Sequence, residues 1–164
     1  MNKYTFSKGD VDESISIMRE AAQWLVDTGN PLWSLNELNR QGLRNSSEEF
    51  IVMYDEEYHG IATLLLCFHD PFLWPDVPAG TSGFIHKVAI RRRFAGQALT
   101  KHLIEFAVDV CREKGISHIR LDCDANRKKL CAFYELIGFS LLQTKRFRTS
   151  KFGVLDVAFY ERKI

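Results

Sequence analysis

The sequence has little of what membrane-spanning, secreted or nucleic-acid-binding proteins usually contain. No apolar run approaches the roughly 20 residues that a membrane-spanning helix requires, and the N-terminus MNKYTFSKGD has no apolar signal core. The 22 Lys and Arg residues nearly balance the 21 Asp and Glu residues, which leaves a net charge of +1. A chain so close to neutral offers no broad electrostatic surface to nucleic acid or to an anionic membrane. We therefore expect a cytoplasmic protein with a small-molecule partner.

Signals of metal, disulfide and nucleotide sites are also scarce. The four cysteines, Cys67, Cys111, Cys123 and Cys131, form no C-x-x-C pair. Three of them lie among apolar residues of predicted strands or helices, which favours a reduced protein with cysteines as small core residues. The five histidines show no ligand-like clustering, so no metal site is expected. The turn of a doubly wound nucleotide-binding domain, G-x-G-x-x-G, is absent, which leaves that fold a minor alternative.

Length and hydrophobic periodicity predict one domain, residues 1–164, with helices and strands in alternation. Asp10 and Glu13 resemble a capping box at the start of the first helix. The four predicted helices begin near Val11, Leu35, Leu99 and Arg127 and end near Gly29, Gly42, Gly115 and Ile137. The six predicted strands span Phe50–Tyr54, Tyr58–Phe68, Phe84–Ile90, Ile116–Cys123, Phe139–Thr144 and Val154–Glu161.

The order of these elements predicts an α/β fold with a mixed sheet and helices on both faces. The first two strands form a hairpin around an acidic turn. The third and fourth enclose a helix, which predicts a parallel, right-handed crossover. The last two strands flank the basic loop KRFRTSK. A ligand is expected at the carboxyl ends of the parallel pair.

The stretch Phe84–Leu103 has the form of a strand, a tight turn of small residues and a helix. The first backbone N–H groups of a helix have no intrahelical partner, and the helix dipole adds partial positive charge at the same end. Such an end suits a phosphate.

A second candidate region is the loop HDPFLWPDVPAGTSG, in which three prolines oppose regular structure. Its Phe72 and Trp74, together with Trp33 after the first helix, are candidate walls of an apolar substrate pocket. The alternative is that these aromatic side chains close the core.

Two segments, HKVAIRRRFAGQAL and FYELIGF, together resemble the GNAT superfamily of acyl-CoA-dependent N-acetyltransferases. The resemblance implies a mostly antiparallel central sheet whose parallel strand pair splays at the coenzyme site. It also implies transfer of an acetyl group from acetyl-CoA to a primary amine of a small molecule or amino-acid derivative, by direct attack in a ternary complex. The alternative is a non-catalytic acyl-CoA-binding or regulatory module of the same fold. The oligomeric state is not readable.

The family's turn pattern, Arg/Gln-x-x-Gly-x-Gly/Ala, aligns with this chain in two registers. The letters match from Arg93 to Ala98, whereas counting from the strand places the family's arginine at Ala95 and its later glycines at Ala98 and Thr100. We prefer the strand count, because backbone geometry determines where the turn begins. In either register the phosphates are expected to bind backbone N–H groups. The residues concerned are Ala95, Gly96, Gln97, Ala98, Leu99 and Thr100. Arg91, Arg92 or Arg93 either supplies the missing positive charge or is a solvated surface residue.

The resemblance also implies catalytic and pantetheine-binding residues. The backbone of Val88, Ala89 and Ile90 pairs with the pantetheine arm, and Tyr134, beside Phe133, is the general acid that protonates the departing thiolate. A phenol suits this role because its pKa is close to that of a thiol. The alternative for Tyr134 is a packed core residue. Asn126 either contacts the pantetheine or caps the fourth helix.

The general base is the least defined part of the predicted site. His86 lies two residues before Val88 and is expected to share its face of the strand, where it is either the base or a hydrogen-bonded core residue. The carboxylates of Glu37, Asp70 and Asp76 are further candidates.

Overall fold

The computed structural model describes residues 3–43, 49–150 and 153–164, and within these ranges it has seven strands and three α-helices. The strands are β1 (Thr5–Lys8), β2 (Glu49–Tyr54), β3 (Gly60–Cys67), β4 (Gly83–Ile90), β5 (His118–Asp124), β6 (Ser140–Thr149) and β7 (Gly153–Lys163). The helices are α1 (Val11–Asp27), α2 (Leu99–Glu113) and α3 (Lys128–Leu136). None of the helices in the described ranges has the length and apolarity needed to cross a bilayer.

The strands form one mixed sheet in the order β1-β2-β3-β4-β5-β7-β6. The pairs β1–β2, β2–β3, β5–β7 and β6–β7 are antiparallel, whereas β4 and β5 are parallel. The parallel ladder runs from Gly83↔Ile119 to Ile85↔Leu121, and β4 continues beyond it to Ile90. These observations confirm the predicted mixed, mostly antiparallel sheet with one parallel pair.

Residue contacts divide the chain into two compact units. The first comprises the chain up to Cys67 together with His86–Asp109. Helix α1 begins where Asp10 Oδ1 accepts a hydrogen bond from the Glu13 backbone N–H at 3.2 Å, which confirms the predicted N-terminal cap. The buried Ser14 hydroxyl of α1 lies 2.6 Å from the Thr63 hydroxyl of β3. The core cluster of this unit consists of Ile17, Met18, Ala22, Leu38, Phe50, Val52, Leu65 and Ala89.

The second unit comprises Phe68–Ile85 and Val110–Ile164. It contains the β4–β5 ladder, α3 and the antiparallel strands β6 and β7. Its largest buried aromatic side chains include Phe84, Phe159 and Tyr160. Alternation of apolar and polar residues along β5 buries Ile119 and Leu121 and leaves the intervening side chains half-buried.

Three elements differ from the sequence prediction. The four-residue strand β1 was not predicted, because TFSK is too short to show a period and forms through pairing with distant β2. The predicted second helix is only a 3-10 helix over Leu35–Glu37, without a side-chain cap from Ser34. The predicted basic loop is largely strand, since β6 continues to Thr149 opposite Gly153 of β7. Lys151, the last residue of that loop, lies outside the described residues.

Candidate functional site

The turn between β4 and α2 exposes a short length of backbone. A 3-10 helix over Arg92–Phe94 leads into Ala95–Ala98, whose four residues are all exposed. Gly96 has a φ of +81° and Ala98 a φ of +56°. Leu99, at the first position of α2, is fully buried and holds the start of the helix in place. This arrangement leaves the first N–H groups of α2 next to an exposed turn, where an anionic group can approach.

The positive φ of Ala98 fits the family's turn pattern in either register. An L-residue with a side chain is strained in the left-handed region, whereas glycine is not. Both registers place a small residue of the pattern at Ala98, so this φ does not distinguish them. Thr100, where the strand count places another glycine, is half-buried within α2.

Arg91 anchors the turn to the rest of its unit. Its guanidinium donates hydrogen bonds to Glu13 Oε1 at 2.8 Å, to the Gly60 carbonyl at 2.8 Å and to Ser16 Oγ at 3.0 Å. Glu20 lies 3.7 Å from another nitrogen of the same group. The side chain is only 18% exposed. Arg91 is therefore engaged with α1 and β3, and it is the least available of the three arginines to neutralise a phosphate.

The next two arginines differ from Arg91. The Arg92 guanidinium lies 3.6 Å from the centre of the Trp24 ring, and its backbone N–H donates to Glu20 Oε2 at 3.1 Å. Arg93 lies over the ring of Phe94 and, among the described residues, has no ion-pair partner. It lines a cavity of about 370 Å³ at the N-terminal end of α1. Arg92 and Arg93 are both exposed, so the positive charge of either is more accessible to an anion than that of Arg91.

Strand β4 is irregular immediately before the predicted pantetheine-binding residues. Lys87 has a φ of +50°, and a left-handed residue inside a strand marks a β-bulge, where side-chain alternation is interrupted. The expectation that His86 and Val88 share one face therefore loses its basis, and His86 is half-buried. Val88 and Ile90 are half-buried and Ala89 is buried.

Trp33 is the one predicted aromatic wall residue that lies beside β4. It packs against the core cluster of the first unit, and the Lys87 amine lies 5.6 Å from the centre of its ring. The other two predicted wall residues are in different environments. Phe72 is 82% exposed, whereas Trp74 is 5% exposed. Trp74 contacts Phe84 and Phe159, as in the alternative interpretation of a core aromatic.

Tyr134 lies in the buried aromatic cluster of the second unit. It is 5% exposed, and its ring centre is 6.0 Å from that of Phe139, 6.2 Å from that of Tyr160 and 5.6 Å from that of half-buried Phe133. The Tyr160 hydroxyl donates to Glu135 Oε1 at 3.0 Å. The phenol of Tyr134 is thus surrounded by apolar rings.

Burial raises the pKa of Tyr134 well above its ordinary value of 10.0, and the nearby Cys123, Asp122 and Cys131 raise it further because their anionic forms repel a phenolate. The phenol therefore stays protonated throughout the neutral range. The expectation that its pKa is close to that of a free thiol does not hold in this environment.

Two thiols lie beside Tyr134 in the same unit. Cys123 Sγ of β5 is 3.8 Å from Cys131 Sγ of α3, and both residues are half-buried. The sequence offered no C-x-x-C signal for this pair, because a turn and the start of a helix separate the two residues.

The start of α3 differs from the capping role considered for Asn126. Arg127 occupies the N-cap position without a side-chain hydrogen bond to the helix. Asn126 is exposed, and its backbone N–H donates to Asp124 Oδ1 at 2.9 Å. The capping interpretation of Asn126 is therefore wrong, because Asp124 forms a local turn that shifts the first helical residue to Lys128.

The carboxylates considered as general bases lie in separate places. Glu37 and Asp76 are exposed. Asp70 is buried, and its Oδ1 accepts a hydrogen bond from the Leu73 backbone N–H at 2.9 Å, which makes it part of a loop turn.

The chain is similar to known proteins both over a family domain and over most of its length. The model of the Acetyltransferase (GNAT) family matches residues 17–139. Uncharacterized N-acetyltransferase YesJ from Bacillus subtilis (strain 168) is 30% identical over 140 residues, which cover 81% of this chain and 78% of that protein.

Solved structures of low sequence identity have the same fold. A GNAT family acetyltransferase from Listeria monocytogenes has a TM-score of 0.74 at 20% identity, covering 98% of this chain and 95% of that one. The acetyltransferase yncA from Salmonella typhimurium, solved with its cofactor acetyl-CoA, has a TM-score of 0.70 at 15% identity, covering 99% and 94%.

Proposed function

The chain belongs to the Acetyltransferase (GNAT) family, whose cofactor is acetyl-CoA, and on that premise we propose that it acetylates a primary amine of a small molecule or amino-acid derivative. The amine attacks the thioester directly in a ternary complex. The thioester supplies an activated acetyl group, so the protein needs no nucleophile of its own.

The turn after β4 fits the pyrophosphate of the coenzyme. Residues Ala95–Ala98 are exposed, and among the described residues no atom outside Ala95–Gln97 lies within 4 Å of the place that a Cβ on Gly96 would occupy. Backbone N–H groups of this turn and of Leu99 and Thr100 bind phosphate oxygens without help from side chains. The backbone of Val88–Ile90 pairs with the pantetheine arm as an added strand.

The observation that carries the catalytic proposal is the buried, protonated phenol of Tyr134 in the segment FYELIGF. Tyr134 donates its proton to the departing thiolate. Its raised pKa makes it a weaker acid than a free phenol, but a low-dielectric site also raises the proton affinity of a thiolate, because burial disfavours both anions. Proton donation from Tyr134 to the thiolate therefore remains feasible inside the site. It is suppressed when the thiolate is in contact with water.

Tyr134→Phe removes the proton and keeps the ring, so we expect kcat to fall about 100-fold or more, the usual size of a general-acid contribution. Turnover is measured as thiol release from acetyl-CoA across amino acids, amino sugars, polyamines and aromatic monoamines. Tyr160→Phe is the matched control, because it removes a phenol from the same cluster, and its kcat should stay within about threefold.

The acid role of Tyr134 would be wrong if Tyr134→Phe matched the wild-type kcat with every amine at neutral and mildly acidic pH. Calorimetry with acetyl-CoA checks that the variant still binds coenzyme. Binding by the wild type without an acetylated product from any amine would instead favour a non-catalytic acyl-CoA-binding or regulatory module, the alternative motivated by the altered turn at Ala95, Ala98 and Thr100 and by the undefined base.

The proposal also assigns the general base and one wall of the acceptor pocket. We assign the base to His86, the half-buried imidazole of the coenzyme strand, and the acceptor wall to Trp33 beside Lys87. In the same amine panel, His86→Gln should lower kcat about 10-fold or more and flatten its dependence on pH. Trp33→Ala should raise the KM of the amine and leave that of acetyl-CoA unchanged. A His102→Gln control, on the exposed side of α2, should keep the wild-type pH profile.

A further inference from the structure

Cys123 and Cys131 stand apart from the other two cysteines of the chain. Cys67 and Cys111 are 4% and 0% exposed, one in β3 and the other in α2, and they belong to the apolar core. Cys123 and Cys131 are half-buried, carry free thiols and place their sulfur atoms 3.8 Å apart. Two thiols at this distance, with partial access to solvent, are the reactants for a disulfide.

The surrounding geometry holds the two sulfur atoms together. Cys123 lies near the end of β5 and Cys131 lies in the first turn of α3. The Cys131 thiol donates weak hydrogen bonds to the carbonyls of Asp124 at 3.8 Å and Ala125 at 4.0 Å. A disulfide requires an S–S distance of about 2.0 Å, so the sulfur atoms need to approach each other by less than about 2 Å.

We propose that Cys123 and Cys131 form a redox-active dithiol, which exchanges with a low-molecular-weight disulfide to form an intramolecular disulfide that slows acetyl transfer. The formation of the disulfide is independent of the proposed function. Its effect on acetyl transfer rests on that function, through Tyr134.

The exchange proceeds in two balanced steps. The Cys131 thiolate attacks the external disulfide, forming a mixed disulfide and releasing one thiolate. The Cys123 thiolate then attacks Cys131 Sγ, forming the internal S–S bond and releasing the second thiolate. The two cysteine protons pass to the two leaving thiolates, so two cysteine thiols are oxidised and one external disulfide is reduced to two thiols.

The order of attack follows from the environment of Cys123. Its burial, and then the adjacent Cys131, raise the pKa of the Cys123 thiol. A thiol whose pKa is raised is a poorer first nucleophile, so the first attack is placed on Cys131 rather than Cys123. Oxidation should therefore accelerate as the pH rises.

The dithiol acts on Tyr134 through α3. Cys131 and Tyr134 are three residues apart on this helix and so lie on the same face. Drawing Cys131 toward β5 displaces the first turn of α3 and with it the phenol. A general acid must lie within hydrogen-bond reach of the atom it protonates, and a displacement of about 1 Å is enough to cost up to 100-fold in rate.

The test uses the full chain, folded and reduced, incubated with excess oxidised glutathione. Intact mass should fall by about 2 Da, and peptide mapping should recover one linked pair that contains Cys123 and Cys131. A Cys67→Ala, Cys111→Ala double variant should behave identically, whereas Cys131→Ser should show no such loss of mass. Four free thiols after prolonged incubation, or a bond between any other pair, would overturn the dithiol.

Turnover is compared between oxidised protein and the same sample re-reduced with dithiothreitol. Oxidation should lower kcat about 10-fold or more, with full recovery on reduction, and should leave the Cys131→Ser variant unaffected. Complete disulfide formation with unchanged kcat would overturn the effect on catalysis. If the reduced wild type acetylates no amine, the proposed function fails, and the mass measurement still decides whether the dithiol exists.

Discussion

The turn Arg91–Ala98 and the cluster around Tyr134 offer a ligand different parts of the polypeptide. The turn exposes backbone: Ala95–Ala98 are accessible, and two of these four residues have positive φ. The cluster buries side chains: Tyr134 is 5% exposed and surrounded by aromatic rings. One region presents N–H groups to water, and the other excludes water from a phenol.

This difference bears on the proposed site, where the strand register departs from the family's turn pattern while FYELIGF keeps its tyrosine segment. Backbone N–H groups are present whatever the side chain, so in that register we expect the turn to tolerate Ala95 in place of an arginine. A buried side chain that donates a proton, the role proposed for Tyr134, cannot be replaced by a backbone group. The comparison predicts that side-chain changes in the turn alter affinity and stability modestly, whereas changes at Tyr134 alter the rate strongly.

Among changes in the turn, Arg91→Ala should have the largest effect on stability. It removes the side chain that holds the turn against α1 and β3. It leaves Glu13 without its partner in a site where the arginine side chain is 18% exposed. Loss of a charged hydrogen-bond network of this kind costs about 2 kcal/mol. Urea denaturation should show a lower midpoint with an unchanged slope.

The matched control is Arg146→Ala, which breaks the bidentate Asp156 pair in which the arginine is 71% exposed. Exposed pairs contribute little, so the urea midpoint of this variant should stay close to that of the wild type. Equal losses in the two variants would contradict the anchoring role of Arg91.

The register of the turn predicts the next largest effect, about 10-fold in the Kd of acetyl-CoA, equivalent to about 1.4 kcal/mol. If the strand count is right, Ala95→Arg restores a phosphate-binding cation and tightens binding, while the neutral Ala95→Gln does not. If the register that matches the pattern from Arg93 to Ala98 is right, Arg93→Gln weakens acetyl-CoA binding and Ala95→Arg has no effect on it. Calorimetry at low salt distinguishes the two registers.

Ala98→Gly should have the smallest effect and should be favourable. Glycine relieves the left-handed strain at φ +56°, and part of this gain is lost to the larger entropy of the unfolded chain. We expect a net stabilisation of about 0.5 kcal/mol. Ala132→Gly, at an exposed position inside α3, should destabilise by about 1 kcal/mol. The same sign in both variants would show that Ala98 is not strained.

Local sequence signals predicted most of the elements. The Asp10 cap and the β2–β3 hairpin follow from residues close together in the chain, and the parallel β4–β5 pair follows from the strand-helix-strand order. Strand β1 was missed because it forms only beside β2, a distant partner. The end of β6 was missed because its residues are basic, although its partner β7 follows directly in the chain.

Parts of the candidate site that rest on contiguous motifs were predicted, and parts that rest on contacts between distant residues were not. The exposed turn and the tyrosine segment were found because their motifs are contiguous. The ion pair between Arg91 and Glu13 joins residues 78 positions apart. The sequence near either residue does not predict this pair. The burial of Trp74 was likewise left open, because its contacts with Phe84 and Phe159 come from other segments.

The sequence by itself determined the order of helices and strands and the two motifs that lead to the family, because periodicity, caps and turns depend on neighbours within a few residues. Only the tertiary structure decided that Arg91 is held in a hydrogen-bond network while Arg93 is exposed, which aromatic residues are buried, and that two cysteines meet beside Tyr134. Those outcomes depend on the burial and pairing of residues far apart in the chain, and both are set when the segments pack together.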